Sequence, residues 1–160
     1  MTCDRHDGGV QISARADYAV RALLVLAAHD PATTKSDVLA EAQQLPKKFL
    51  EAILADCRRG GLLLSQRGAE GGYRLARPPA EIAIGDIIRA VDGPLAGVRG
   101  ARPETAGYAG EAEHLQTVWV AVRASVRSVL DEVSVADVLR GDLPAHIVAL
   151  AGRPDAWSSR

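Results

Sequence analysis

The chain has 160 residues, a formal net charge of −1, and a composition that is 48% hydrophobic but only 4% aromatic. This length predicts one domain, or one domain with an appendage, and the apolar content is sufficient for a packed core. No apolar run approaches the roughly 20 residues that cross a bilayer, so a membrane protein is not expected. Because aromatic residues are few, the core must consist mainly of Ala, Val, Leu and Ile.

The N-terminal residues and the cysteines exclude further classes of protein. The stretch MTCDRHDGG is polar and holds two aspartates, which is not the pattern of a signal or transit peptide, so we expect a cytoplasmic protein. Cys3 and Cys57 form no CxxC pair, so neither a disulfide framework nor a thiolate metal site within one chain is predicted. An enzyme is not indicated, because nucleophile-elbow, P-loop and paired-carboxylate motifs are absent from the sequence.

The first 45 residues have the period of α-helices. Residues 1–12 are a charged, non-periodic run, for which we expect a disordered tail. A first helix is predicted from Ser13, because apolar residues recur at three- and four-residue steps as far as Ala27. A second helix is predicted over Ser36–Gln43, preceded by a capping box of Thr34 and Asp37. Its buried face is expected to consist of Val38, Leu39 and Ala42.

The next segment predicts a third helix and a hairpin. Pro46 is expected at the first helical position, and Gly60–Gly61 at the end of the helix. An inward stripe at i, i+3, i+4 and i+7 is formed by Leu50, Ile53, Leu54 and Cys57. Two strands, Leu62–Ser65 and Tyr73–Ala76, flank the glycine-rich tip QRGAEGG. The sequence therefore predicts a mainly α fold with a small β-hairpin wing, a winged helix-turn-helix.

The C-terminal half is predicted to support dimerisation. A short helix runs from Ile84 to Val91, residues 95–110 form a loop, and a long helix begins near Glu111. Its apolar stripe contains Leu115, Val118, Trp119, Val122, Val126, Val129, Leu130 and Val133. This stripe exceeds what a small winged domain can cover, so a second copy of the chain is the expected partner. Ser134 and Asp137 predict a capping box for a further brief helix.

These elements give a predicted domain organisation. Its parts are a tail (1–12), a winged helix-turn-helix domain (13–94), a loop (95–110), a dimerisation helix with short C-terminal helices (111–152), and a second tail (153–160). Basic charge is concentrated on the third helix and the wing. Residues 44–77 contain seven Lys or Arg and three acids, a local net charge of +4. This is the electrostatic pattern of a surface that binds nucleic acid.

Three segments of the sequence together resemble a known family. They are ADYAVRALLVLA, then LPKKFLEAILADCRRGGLLLSQRGAEGGYRLARPPAEIAIGDIIRAVDGPL, then VSVADVL. They resemble the Rrf family of bacterial winged-helix transcriptional regulators, with its IscR-, NsrR- and CymR-like branches. The likeness covers residues 13–140, and its most specific part is the RG-x-x-GGY-x-L-A wing. The resemblance implies a homodimer bound to a two-fold symmetric operator, with the long helix crossing its symmetry mate.

The sequence departs from those members of the family that sense through an iron–sulfur cluster. Such members usually carry three cysteines in the loop before the long helix, whereas residues 95–133 contain none. The CymR-like branch without a cluster is therefore the nearer comparison, and no cofactor is predicted. An atypical site of Asp17, Glu113 and His114 stays open, although carboxylates and imidazole are poorer iron–sulfur ligands than thiolates.

The residues predicted to bind DNA lie on the third helix and the wing. The resemblance places Arg67 in the minor groove, where a narrow groove attracts guanidinium groups. Lys47, Lys48 and Glu51 begin the recognition helix, where Lys can read guanine or bind phosphate and Glu can accept from cytosine. The set is completed by Arg58, Arg59, Gly68, Gly71, Gly72, Tyr73 and Arg74. For the charged residues the alternative is a solvated face, and for the glycines and Tyr73 it is a structural role.

The sequence thus favours a DNA-binding transcriptional regulator, with repression as the expected mode. Its predicted partners are double-stranded DNA, a second copy of the chain, and a small-molecule or protein effector that the sequence does not identify. One alternative is a winged-helix module that acts mainly through a protein partner. Another is a redox sensor that uses Cys57, although a thiol on an inward stripe is more often a small core residue. Trp119 is expected to anchor the dimer core, with an effector pocket as the alternative.

Overall fold

The computed structural model describes residues 11–158, so most of the predicted N-terminal tail, including Cys3, lies outside the described residues. The regular elements are α1 (Ala14–Ala28), α2 (Ser36–Gln43), α3 (Lys47–Arg59), β1 (Leu63–Gln66), β2 (Gly72–Leu75), α4 (Ile84–Asp92), α5 (Leu115–Leu130), α6 (Val135–Arg140) and α7 (Ala145–Ala151). Within this range, no helix combines the length and the apolar character that crossing a membrane requires.

The first helix, α1, runs through the main core. The hydroxyl of Ser13 accepts a hydrogen bond of 3.0 Å from the backbone N–H of Ala16, which confirms the predicted start. The fully buried face of α1 consists of Ala16, Ala19, Ala22, Leu23 and Leu26. Because three of these five side chains are methyl groups, other elements can approach α1 closely, and α2, α3, α4, α6 and β2 all contact it.

The start of α2 differs from the prediction, although its bounds are confirmed. The N-cap is Lys35 and makes no side-chain capping bond, so the predicted capping box of Thr34 and Asp37 is wrong. Thr34 is instead paired with Tyr73 of β2 through two backbone hydrogen bonds of 2.8 Å. Its place in this bridge leaves Lys35 as the last extended residue before the helix. Leu39 is buried as predicted, but Val38 and Ala42 are exposed, and Ala40 and Gln43 are buried in their place.

The third helix and the hairpin complete a winged helix-turn-helix, which confirms the predicted fold class. The inward stripe of α3 is fully buried, with Leu50, Ile53, Leu54 and Cys57 all at 0% exposure. Pro46 is the N-cap and not the first helical residue, while Gly60 ends the helix as predicted. The antiparallel strands begin one residue away from the predicted positions, and they pair Leu63 with Leu75 and Gln66 with Gly72.

The segment after α5 returns to the main core. Val135 is fully buried in the same cluster as α1 and as Ile82, which precedes α4. Two backbone hydrogen bonds of 2.9 Å hold these segments together, from Ile84 to Val133 and from Val135 to Ile82. Val133, which the sequence placed on the stripe of the long helix, therefore lies in this bridge, outside α5. The predicted capping box of Ser134 at the start of α6 is confirmed.

The long helix α5 begins at Leu115, four residues later than predicted, because Gly110–Ala112 forms a separate 3-10 turn. The C-terminal part of its apolar stripe serves the same protomer, since Val126 and Leu130 pack against a second small core. That core consists of Ala16, Ile88 and Leu95. Val118, in the N-terminal part, is the most exposed member of the stripe.

Candidate nucleic-acid interface

The exposed start of α3 carries two lysines with different surroundings. The ammonium of Lys47 lies 2.6 Å from the carboxylate of Asp37 in α2 and 3.9 Å from that of Glu51. The hydrogen bond and the charge of Asp37 raise the pKa of Lys47, so this residue stays protonated. Lys48 is exposed and makes no ion pair within residues 11–158. The first turn of α3 thus presents one neutralised cation and one free cation.

Glu51 has a structural contact that the sequence did not reveal. Its carboxylate accepts a hydrogen bond of 3.2 Å from the hydroxyl of Ser36, the first residue of α2, and its side chain is partly buried. The bond joins the starts of α2 and α3 and helps to set the angle of the helix-turn-helix. It also occupies one carboxylate oxygen that base reading would use.

The two arginines at the end of α3 make contacts with different parts of the molecule. Arg58 donates a hydrogen bond of 3.1 Å to the hydroxyl of Ser65 in β1, which links α3 to the wing. Arg59 pairs with Asp56, and the same carboxylate also binds Arg15 of α1. Arg59 therefore binds Asp56, the acid that joins α3 to α1, whereas Arg58 contacts the wing.

The tip of the wing is a tight, glycine-dependent loop that exposes Arg67. The N–H of Gly71 donates a hydrogen bond of 3.0 Å to the carbonyl of Gly68, which has a φ of +107°. A Cβ on Gly71 would lie 2.5 Å from the carbonyl oxygen of Gln66, so no larger residue fits this loop unchanged. Arg67 and Arg74 are exposed, and neither makes an ion pair within the described residues.

The wing is fixed to the turn before α2. Besides the backbone bridge between Thr34 and Tyr73, the hydroxyl of Thr33 donates a hydrogen bond of 2.9 Å to the carbonyl of Glu70. A Cβ on Gly72 would lie 2.5 Å from the carbonyl oxygen of Thr34, so the close approach requires glycine. Tyr73 is partly buried and packs against the main core, which agrees with a structural role.

A groove of about 310 Å³ lies between the start of α2 and the wing. Its lining consists of Lys35, Ser36, Asp37, Ser65, Gln66, Gly68, Gly71, Gly72 and Tyr73. Because Asp37 lines this groove and also binds Lys47, the starts of α2 and α3 and the wing tip share one surface. Lys35 is exposed there without an ion pair in residues 11–158, and it was not among the residues predicted from the sequence. Its position directly before the second helix of a helix-turn-helix was the signal that could have found it.

The stripe of α5 that was predicted to form the dimer interface is only partly exposed to solvent. Val118 is 50% exposed, while Leu115, Val126 and Val129 are half-buried. Trp119 and Val122 line an apolar cavity of about 240 Å³ together with residues 96–98 of the preceding loop. The N-terminal half of α5 is therefore the part of the stripe that a second protomer can cover.

Cys57 has the environment of a core residue. Its side chain is fully buried, and burial together with the charge of Asp56 raises the pKa of its thiol to about 12. A neutral, enclosed thiol is a poor nucleophile and a poor metal ligand.

The donor set does not fit a thiolate cluster either. Residues 95–133 hold no cysteine, and residues 11–158 contain no group of three or more His, Cys, Asp or Glu side chains that could bind a metal ion. Asp17 is exposed and lies 3.6 Å from Arg21, and Glu113 and His114 are exposed just before α5. Within residues 11–158, these side chains therefore do not form a metal site.

Three comparisons with known proteins agree with this fold. Residues 12–141 match the family model Rrf2, described as an iron-dependent transcriptional regulator. Rv1287 of Mycobacterium tuberculosis strain H37Rv, provisionally named an HTH-type transcriptional regulator, is 49% identical over 143 residues, which is 89% of each chain. The chain also superposes on the solved structure of CymR (YrzC), the global cysteine regulator of Bacillus subtilis. That match has a TM-score of 0.70 at 30% identity and covers 83% of this chain and 98% of CymR.

The structure of IscR from T. potens is similar to the same extent. It superposes with a TM-score of 0.67 at 30% identity and covers 95% of this chain and 94% of that protein. The names of these relatives describe regulators and not enzymes.

Proposed function

Because the chain belongs to the Rrf2 family of transcriptional regulators, we propose that it recognises a specific operator through α3 and the wing. In this arrangement α3 enters the major groove, and Arg67 extends from the wing into the adjacent minor groove. The observation that supports the proposal is the surface shared by α2, α3 and the wing. Its cations Lys35, Lys48, Arg67 and Arg74 face no acidic partner within residues 11–158.

The proposed contacts divide into positioning and reading. Lys35 and Arg74 flank the groove and the wing and would bind phosphates, which fixes the protein on the duplex without reading sequence. Lys47 and Lys48, in the first turn of α3, would reach base edges or the adjoining phosphates. Glu51 and Arg58 hold the helices and the wing in register through Ser36 and Ser65. Their replacement would change the angle of the recognition surface as well as its charge.

We further propose a homodimer that binds a two-fold symmetric operator and represses transcription by occupying it. The half-exposed Val118 and the apolar cavity beside Trp119 and Val122 support a partner on the N-terminal half of α5. A two-fold dimer presents two α3 helices to half-sites one helical turn apart, about 34–36 Å. The proposed DNA contacts are made by Lys and Arg side chains, and residues 95–133 contain no thiolate. Both observations support a regulator that works without a cluster.

Fluorescence anisotropy on duplex DNA from upstream of its own gene tests the proposal. When the anisotropy is measured at increasing salt concentrations, the affinity for DNA should decrease steeply, because each phosphate contact releases a counterion. A scrambled duplex of the same composition should bind more weakly by about 10³-fold or more at physiological salt. Equal affinity for both duplexes would favour the alternative of a module that acts through a protein partner.

The Arg67→Ala substitution tests the wing directly. We expect it to weaken specific binding by about 1–3 kcal/mol, because it removes the cation at the tip without disturbing any contact in the described structure. Arg140→Ala is the matched control, since Arg140 is exposed on α6, pairs with Asp137 and lies outside the proposed surface. If both variants bind as tightly as the native protein, Arg67 does not contact DNA.

A further inference from the structure

A second site of a different chemistry lies between α4, α5 and the loop that connects them. It is a half-open cavity of about 620 Å³, twice the volume of the groove beside the wing. Its lining is Ala83, Asp86, Arg89, Gly93, Pro94, Leu95, Arg102, Arg123, Arg127 and Asp131. A volume of this order accommodates a small metabolite, and four guanidinium groups in one cavity select strongly for negative charge.

The acids of the cavity do not balance its arginines. Arg89 binds both carboxylate oxygens of Asp131 at 2.5 and 2.7 Å, and Arg127 donates to the same carboxylate at 3.0 Å. Arg123 pairs with Glu104 at the rim, and Asp86 is 3.3 Å from Arg77 outside the cavity. With these two neighbours included, five arginines face three acids, which leaves an excess of two positive charges.

The excess charge is carried by arginine side chains that still have free donors. Arg102 is exposed and makes no ion pair or hydrogen bond through its side chain within residues 11–158. Arg123 and Arg127 each donate one of their five N–H groups to an acid. Several guanidinium donors therefore converge on the cavity without a partner, in the fork geometry that binds carboxylate or phosphate through two bonds.

We propose that this cavity binds a small dianion that carries carboxylate or phosphate groups, held by Arg102, Arg123 and Arg127. The two charges of such a ligand match the excess charge of the site, and Leu95 and Pro94 offer apolar contact to its carbon skeleton. The ligand enters from the open side, next to Arg102. It leaves the partly buried pair of Arg89 and Asp131 in place.

A chain of ion pairs also connects the cavity to the wing. Its effect on DNA binding rests on the proposed function. Asp86 accepts hydrogen bonds from Arg89 inside the cavity and from Arg77, two residues after β2. Arg77, Asp86, Arg89, Asp131 and Arg127 therefore form a continuous chain of ion pairs from the base of the wing to α5. A dianion that draws Arg127 toward itself weakens its bond to Asp131 and shifts the charges that hold Arg77. Ligand binding then changes the position of the wing on DNA.

Thermal unfolding and titration calorimetry without DNA test the site itself. The probes are malonate and inorganic phosphate at about 10 mM, each compared with sodium chloride of equal ionic strength, and for a Kd of about 1 mM the Tm should rise by roughly 3 °C. Arg102→Ala should weaken probe binding about tenfold, because a charge-assisted pair is removed from an exposed position. Arg99→Ala, which removes the same charge three residues earlier outside the lining, should bind the probes like the native protein.

Two results would overturn the site. One is the absence of a Tm shift with both probes, which is also what a partner protomer that fills the cavity with its own acids would produce. The other is an equal response of the Arg102→Ala and Arg99→Ala variants, which would mean that the probes bind elsewhere.

Anisotropy with the operator tests the coupling to the wing. The probe should change the Kd for DNA about fivefold in the native protein and in Arg99→Ala, but less than about twofold in Arg102→Ala, whose site is only half-occupied at this probe concentration. In Arg77→Ala the probe should still bind, with its effect on DNA lost. An unchanged Kd for DNA in a native protein that binds the probe would refute the coupling and leave the site standing. A protein that binds the probe but no DNA at all would refute the proposed function alone.

Discussion

At the scale of single residues, the recognition surface contains one acid that opposes its function. Asp37 binds Lys47 at 2.6 Å and lines the groove between α2 and the wing, where phosphates would lie. Asp37→Asn should therefore increase DNA affinity about two- to fivefold and steepen the salt dependence by about one ion, since Lys47 becomes free to neutralise a phosphate. Anisotropy over a salt series measures both quantities. Asp142→Asn, on an exposed acid after α6, is the control, and an identical change in both variants would mean that only net charge matters.

The thiol of Cys57 gives a second prediction at this scale. In a Cys3→Ser background the native protein should react with Ellman's reagent at pH 8 about 1000-fold more slowly than the unfolded chain, because its pKa of about 12 suppresses the thiolate. Since the pKa is raised on folding, the neutral thiol favours the folded state. Its contribution is complete below about pH 8.5 and declines as the pH rises toward 12. Equal reaction rates in native and unfolded protein would restore the redox-sensor alternative.

At the scale of elements, the wing depends on close backbone approaches that only glycine permits. Gly71→Ala would place a Cβ 2.5 Å from the carbonyl oxygen of Gln66 and 2.7 Å from that of Gly68, so the tip must open. We expect DNA affinity to decrease on the order of tenfold, with a Tm loss of only a few degrees, because the tip lies outside the core. Gly107→Ala is the matched control, since a Cβ there meets no atom within 4 Å. A Gly71→Ala variant with native affinity would show that the shape of the tip is unimportant.

The regular elements could be predicted because their signals are local. The stripe from Leu50 to Cys57 and the caps at Ser13 and Ser134 lie within a few residues of the helices that they define. The predicted cap at Thr34 failed because its partner, Tyr73, is 39 residues away, and no local pattern reveals such a bridge. Likewise, the charges of the proposed DNA surface could be found in the sequence, while the bonds that orient them could not.

The cavity lined by arginines could not be predicted from the sequence either, because its residues lie far apart in the chain. Asp86, Arg102 and Asp131 are separated by 16 and 29 residues, and the packing of α4 and of the connecting loop against α5 brings them together. In the sequence, residues 95–110 gave no functional signal. The apolar stripe of α5 was detected, but its division between the protomer's own small core and a free face became visible only in the structure.

At the scale of the whole molecule, the free end of the α5 stripe predicts the oligomeric state. Val118→Glu should convert the proposed dimer to a monomer, because a carboxylate in an apolar contact is costly to bury. Sedimentation velocity measures the change, and operator affinity should decrease at least about tenfold, since one α3 helix then binds alone. Val148→Glu, on the 57% exposed side chain of α7, is the control. If Val118→Glu remains a dimer, the interface lies elsewhere.

The backbone bridge that joins residues 82–84 to residues 133–135 has a genetic consequence. A premature stop codon anywhere between α4 and α6 removes both hydrogen bonds of the bridge and the buried side chain of Val135, which contacts the same core as α1. The shortened polypeptide therefore lacks part of the core that supports its helix-turn-helix. Nonsense alleles in this part of the gene should behave as simple null alleles, recessive to an intact copy, and should not yield a fragment that occupies the promoter permanently.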